Sequence, residues 1–108
     1  MITYSHDVYC DNRFMVSIEG HAGYAAEGAD IVCAAASMLA FTLVEAIKNL
    51  DKKGMLESFY RSVYKGSIQL DFTVKEGSKE CAEAVIESLA CGFALLSDNY
   101  PDYVEVEY

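Results

Sequence analysis

The chain has no tryptophan, one proline and two histidines among 108 residues, and no Cys-x-x-Cys pair. The missing pair and the scarcity of histidine exclude zinc ligation at standard finger spacing, so neither a metal nor a cofactor is expected. One proline and seven glycines leave little room for extended disorder, and 53% apolar residues is more than a disordered chain carries. The longest apolar stretch, Ile31 to Ile47, is interrupted by Ser37, Thr42 and Glu45. It falls short of the ~18–20 uninterrupted apolar residues of a membrane span. The start, MITYSHDVY, lacks the basic residues and apolar core of a signal peptide. A cytoplasmic protein without a membrane partner is therefore expected. Basic residues are also few: eight Lys and Arg against seventeen Asp and Glu give a net charge of −9. Such a surface repels phosphate backbones, so no direct nucleic-acid contact is expected. It favours a basic partner or substrate, or serves solubility alone.

At this length the prior is one domain, residues 1–108, with one core. Residues 2–10 carry enough Ile, Tyr, Val and Thr for a strand, and Cys10-Asp11-Asn12-Arg13 marks a turn. Phe14, Val16 and Ile18 then alternate with Met15, Ser17 and Glu19, the period of a half-buried strand. After a glycine-bearing loop, a helix runs from about Ile31 to about Asp51, with Asp30 placed to cap it. Its start is apolar on most sides, which predicts burial on more than one face, against a sheet or a second subunit. Residues 55–64 read as a third strand, Lys65-Gly66 as a tight turn, and Ile68 to Val74 as the most regular strand. A second helix over about 79–98 has Ala82, Val85, Ile86, Leu89, Phe93 and Leu96 on one face. Pro101 ends it, and Tyr103 to Tyr108 can form a last strand. The order β-β-α-β-β-α-β predicts an α+β fold, two helices packed on a mostly antiparallel sheet.

Four cysteines are present. Cys81 and Cys91 read as small buried hydrophobes on the second helix, and Cys10 as incidental beside a turn. His6, in the first strand, reads as structural. Cys33 differs. The stretch Gly20 to Ser37, GHAGYAAEGADIVCAAAS, places His21 at a strand end and Cys33 in the first turn of a helix. Free N–H groups and the positive end of the helix dipole stabilise a thiolate there. A nearby histidine can take the thiol proton and return it to a leaving amine. The unpaired N–H groups of the helix start can serve as an oxyanion hole. Asp30 can cap the helix, orient His21, or both. Ser37 lies one turn after Cys33 on the same face. Each feature also has a plainer explanation: Cys33 as packing, His21 as a surface residue, Asp30 as a cap, and Gly20, Gly23 and Gly28 as turn formers.

The strings Gly20-His21-Ala22-Gly23-Tyr24-Ala25 and Asp30-Ile31-Val32-Cys33-Ala34-Ala35, followed by Ser37, resemble the ribosomal-processing cysteine protease family, Prp. The resemblance extends to chain length, element order and the twelve-residue step from His21 to Cys33. It implies a homodimeric cysteine endopeptidase with Cys33 as nucleophile and His21 as base. It implies supporting roles for Asp30 and Ser37, and a mobile substrate loop containing Gly20, Gly23, Tyr24 and Gly28. The implied substrate is ribosomal protein twenty-seven of the large subunit, cut to remove an aromatic-rich N-terminal extension during ribosome assembly. Ala36 departs from the Val of many members, and residues 25–29 are less basic than the family pattern. Met38, Phe41 and Tyr24 are candidates to line an aromatic pocket.

Two other classes compete. A non-enzymatic acidic binding module or assembly factor for a ribosomal protein would suit the charge. A thiol redox sensor would use Cys33 with Cys10, Cys81 or Cys91, against which stands the lack of a second cysteine close in sequence.

Overall fold

The computed structural model describes residues 1–26 and 30–108. Gly28 therefore lies outside the described residues. The elements are β1 (Ile2–Val8), β2 (Arg13–Glu19), α1 (Ile31–Lys52), β3 (Leu56–Tyr64), β4 (Ser67–Val74), α2 (Lys79–Asn99) and β5 (Val104–Glu107). The sheet order is β3-β4-β2-β1-β5. β1–β2, β2–β4 and β3–β4 pair antiparallel, and only β5 runs parallel, beside β1. The α+β arrangement and its element order are those expected.

Register decides which face is covered. Phe14 lies opposite Phe72, Val16 opposite Leu70 and Ile18 opposite Ile68, so the apolar residues of two central strands share one face. The intervening pairs, Ser17 with Gln69 and Glu19 with Ser67, lie on the other face and hydrogen-bond across the strands. Phe14 and Phe72 stack with ring centroids 5.0 Å apart. Tyr4 of β1 stacks on Phe93 of α2 at 4.6 Å. Ala36, Ala40, Leu43 and Ile47 of α1 and Ala82, Ile86, Ala90 and Phe93 of α2 complete this single core.

One expectation about burial is narrowed and one is corrected. Within one chain α1 is buried on one face, with Ala34, Ala35, Met38 and Phe41 exposed. The helices lie side by side on one sheet face, and no described element covers the outer side of α1. Cys81 and Cys91 are exposed, not buried. Each sits one position from a core residue, Ala82 or Ala90, and one position turns a side chain about 100° around the helix. By length and composition alone, α1 is apolar enough to cross a membrane; a third of its most apolar window is buried in the fold. Core helices of this kind commonly meet that criterion.

His6 is structural in a specific way. Tyr4 and His6 share a hydrogen bond of 3.0 Å from hydroxyl to Nδ1, and Tyr108 stacks on the imidazole at 4.6 Å. Burial holds the His6 pKa below its ordinary 6.5, opposed by the charges of Asp7 and Glu87. The folded state favours the neutral ring. This contribution to stability is therefore full above 6.5 and declines as pH falls through the lower folded value.

Two outcomes are expected. In urea unfolding, Phe72→Ala costs about 3–5 kcal/mol, because it opens a cavity at the Phe14 stack. In melts between about pH 7 and about pH 5, His6→Gln flattens the acid-side loss of Tm relative to wild type.

Candidate active site

The chain leaves β2 through Gly20, whose φ of +99° puts it in the left-handed region. A Cβ at this position would collide with the Met1 carbonyl oxygen. The Gly20 N–H donates to Gly66 O at 2.8 Å, which ties the end of β2 to the β3–β4 turn. The same turn seats the catalytic candidate His21. Gly66 has a φ of +78°, and a Cβ there would lie 2.6 Å from His21 Nε2. The imidazole occupies the space that the missing side chain leaves.

Ala22 is buried, and its N–H donates to Cys33 Sγ at 3.2 Å. The segment after β2 thus lies directly over the cysteine. Cys33 is half-buried in the first turn of α1, as the sequence suggested. Asp30 caps that turn: its Oδ1 accepts from Val32 N at 3.0 Å and Cys33 N at 2.9 Å. Its Oδ2 reaches back along the chain and accepts from Tyr24 N at 3.0 Å and Ala25 N at 3.3 Å. The N–H groups of Cys33, Ala25 and Tyr24, that of Cys33 foremost, hold the Asp30 carboxyl below its usual pKa, although burial opposes them. The cap is therefore ionised at neutral pH, and its stabilisation is lost only as pH falls through the lowered folded value.

This capping corrects the expected oxyanion hole. The Val32 and Cys33 N–H groups are occupied by Asp30, so two of the helix-start donors anticipated from sequence are already paired. The donor found at the sulfur comes instead from Ala22.

A cavity of about 830 Å³ lies between the start of α1 and the β3–β4 turn. His21, Cys33, Asp30 and Ser37 all line it, with Gly20 and Gly23. Among the described residues, no hydrogen bond joins His21 to Cys33. The far wall is Val63 to Ile68, and Ala36, Ala40 and Phe41 form the α1 side. Small alanines on α1 leave the room. Phe41 lines the cavity as anticipated, whereas Met38 lies on a neighbouring groove of α1. The ring of Tyr24 rests on Tyr100 and Tyr103, although Gly23 and Ala25 beside it line the cavity. The wall at residues 63–68 and the Tyr100–Tyr103 seat were not anticipated. Lys65-Gly66 was legible as a turn, but no local signal connects it to the loop after β2.

The family profile described as cysteine protease Prp matches residues 1–105. The chain belongs to the cysteine protease Prp family. Two similar solved structures are of the essential ribosomal processing protease Prp from S. aureus. One is in complex with a covalently linked product peptide, with TM-score 0.76, 23% identity, 100% coverage of this chain and 99% of that one. The other, in complex with a substrate peptide, has TM-score 0.68 with the same identity and coverage. A third structure, SMU.848 from Streptococcus mutans, has TM-score 0.68 and 27% identity, covering 99% of this chain and 92% of that one. No curated protein sequence matches the chain. The Prp fold is thus matched along its whole length, with the thiol of Cys33 and the imidazole of His21 on one cavity.

Gly66→Ala is expected to displace the His21 ring, visible as a shift of its imidazole resonances by NMR. Gly54→Ala is the control. Its φ is also left-handed, +75°, but nothing lies within 4 Å of the added Cβ. Both should lose about 1–2 kcal/mol to backbone strain, and only Gly66→Ala should move His21.

Proposed function

We propose that this chain is a thiol endopeptidase in which Cys33 is the nucleophile and His21 the general base. The observation that carries the reading is the setting of Cys33: first turn of a helix, a backbone N–H on its sulfur, and a cavity shared with a histidine. His21 takes the thiol proton, and Sγ attacks the carbonyl carbon of the scissile peptide bond. The tetrahedral intermediate collapses as His21 gives the proton to the leaving amine. Water, deprotonated by the same imidazole, then releases the acid product and restores the thiol. The Ala22 N–H, already at the sulfur, is the nearest donor for the oxyanion. Asp30 supports both chain segments, and Ser37 supplies a hydroxyl on the cavity wall.

The substrate we infer is ribosomal protein twenty-seven of the large subunit, trimmed of its N-terminal extension in the cytoplasm. Charge favours it: a net −9 enzyme attracts a basic protein at long range. An extended tail fits the cleft, whose walls are a helix and a strand turn and whose mouth carries Phe41 and Tyr64. The exposed small and apolar residues of α1, Ala34, Ala35 and Met38, suit a second copy of the chain. We propose the homodimer on that face.

The test is cleavage of a synthetic peptide spanning the extension, read by mass. Wild type should cut once. Cys33→Ala and His21→Ala should each lower the rate by about 10⁴-fold or more with the fold retained. Binding of the peptide by wild type without any cut would instead favour the acidic binding module.

A further inference from the structure

We propose that Tyr24 is a positioning residue whose ring, seated against Tyr100 and Tyr103, holds the Ala22 N–H on the Cys33 sulfur. The inference rests on the reading of Cys33 as the nucleophile. It concerns what keeps the segment after β2 in place, which neither the helix cap nor the sheet explains alone.

Residues His21 and Gly23 to Ala26 are exposed and belong to no helix or strand. Gly23 adopts a φ of +68°, and nothing lies within 4 Å of where its Cβ would be. Among the described residues, none fills the space that a side chain would take there. The Met1 ammonium donates to His21 O at 2.6 Å and holds the peptide unit that carries the Ala22 N–H. Past the buried Ala22, two further contacts hold the segment. One is the pair of N–H bonds from Tyr24 and Ala25 to Asp30. The other is the Tyr24 ring, edge-on to Tyr103 at 5.1 Å and to Tyr100 at 5.6 Å. Perpendicular rings at these distances have the favoured edge-to-face geometry.

The seat itself is rigid. Tyr100 N donates to Leu96 O at 2.9 Å and closes α2. Tyr103 N donates to Tyr100 O at 3.0 Å, across a turn whose φ is restricted at Pro101. Tyr103 O accepts from Ile2 N at 2.8 Å, which ties the turn to β1. Tyr24 thus couples the loop to the framework of the sheet, only two residues from Ala22. An N–H bond to sulfur depends on direction and distance, so a free segment would lose it. A hydrogen bond to an ionised group stabilises that form, so its loss makes the thiolate harder to form. The titratable groups that share the cavity with Cys33 include Asp30 at the helix start and His21 after β2. Tyr64 and Lys65 face them from the β3–β4 turn.

The experiment follows alkylation of Cys33 by iodoacetamide against pH. The Cys33 peptide is quantified by mass, because Cys10, Cys81 and Cys91 also react as free thiols. Rates are scaled to each variant's own plateau at high pH, which removes differences in access. In Tyr24→Ala the Cys33 midpoint should rise by about one pH unit, the effect of losing one hydrogen bond to an ionised group. Tyr103→Leu, which removes part of the seat, should raise it in the same direction, and Tyr24→Phe should keep the wild-type value. An unchanged midpoint in both Tyr24→Ala and Tyr103→Leu overturns the proposal, as does an equal rise in Tyr24→Phe. Peptide cleavage runs in parallel. A midpoint shift with no cleavage by wild type keeps the positioning role and removes the protease reading. Cleavage with unmoved midpoints does the reverse.

Discussion

The carboxylate of Asp30 accepts four backbone N–H groups, two from the first turn of α1 and two from the segment that follows β2. Residues His21 and Cys33 are twelve positions apart, one in the segment after β2 and the other in α1. A helix cap needs only one oxygen. Because Asp30 uses its second oxygen on Tyr24 and Ala25, the cap also fixes the chain that carries the histidine. Its charge is kept by the same donors that it binds. Fixing the loop and capping the helix start are therefore the work of one carboxylate.

The histidine depends on a second constraint, set by two glycines. Gly20 lets β2 end against the Met1 carbonyl, and Gly66 leaves the space in which the imidazole lies. The bond from Gly20 N to Gly66 O joins them. A hairpin turn thus forms one wall of the cleft, and the alanines of α1 form the other. The sheet register places the turn beside the end of β2.

Much of the architecture was legible because it rests on local periodicity. Phe14, Val16 and Ile18 declared β2, Ile68 to Val74 declared β4, and the stripe from Ala82 to Leu96 declared α2. Asp30 was legible as a cap from its type and place. Burial of single residues was less so, because it depends on what else covers an element. Alanines and Met38 on α1 looked like core, yet the second helix took a place beside α1 and left that face open. Cys81 and Cys91 missed the core by one position each. The Cys33 and His21 pair was suggested by helix-start chemistry and by resemblance to the Prp family. The contacts that position the pair join distant parts of the chain: Gly20 with Gly66, and Tyr24 with Tyr100 and Tyr103. No local pattern encodes such contacts, since they arise only when the sheet closes.

Asp30 holds the loop and the helix together. Amide hydrogen exchange at Tyr24 and Ala25, compared between wild type and Asp30→Ala, tests this most directly. Both amides are expected to be protected in wild type and to lose that protection in the variant, while Phe72 and Leu70 in β4 stay protected. Equal protection of Tyr24 and Ala25 in the two proteins would contradict it.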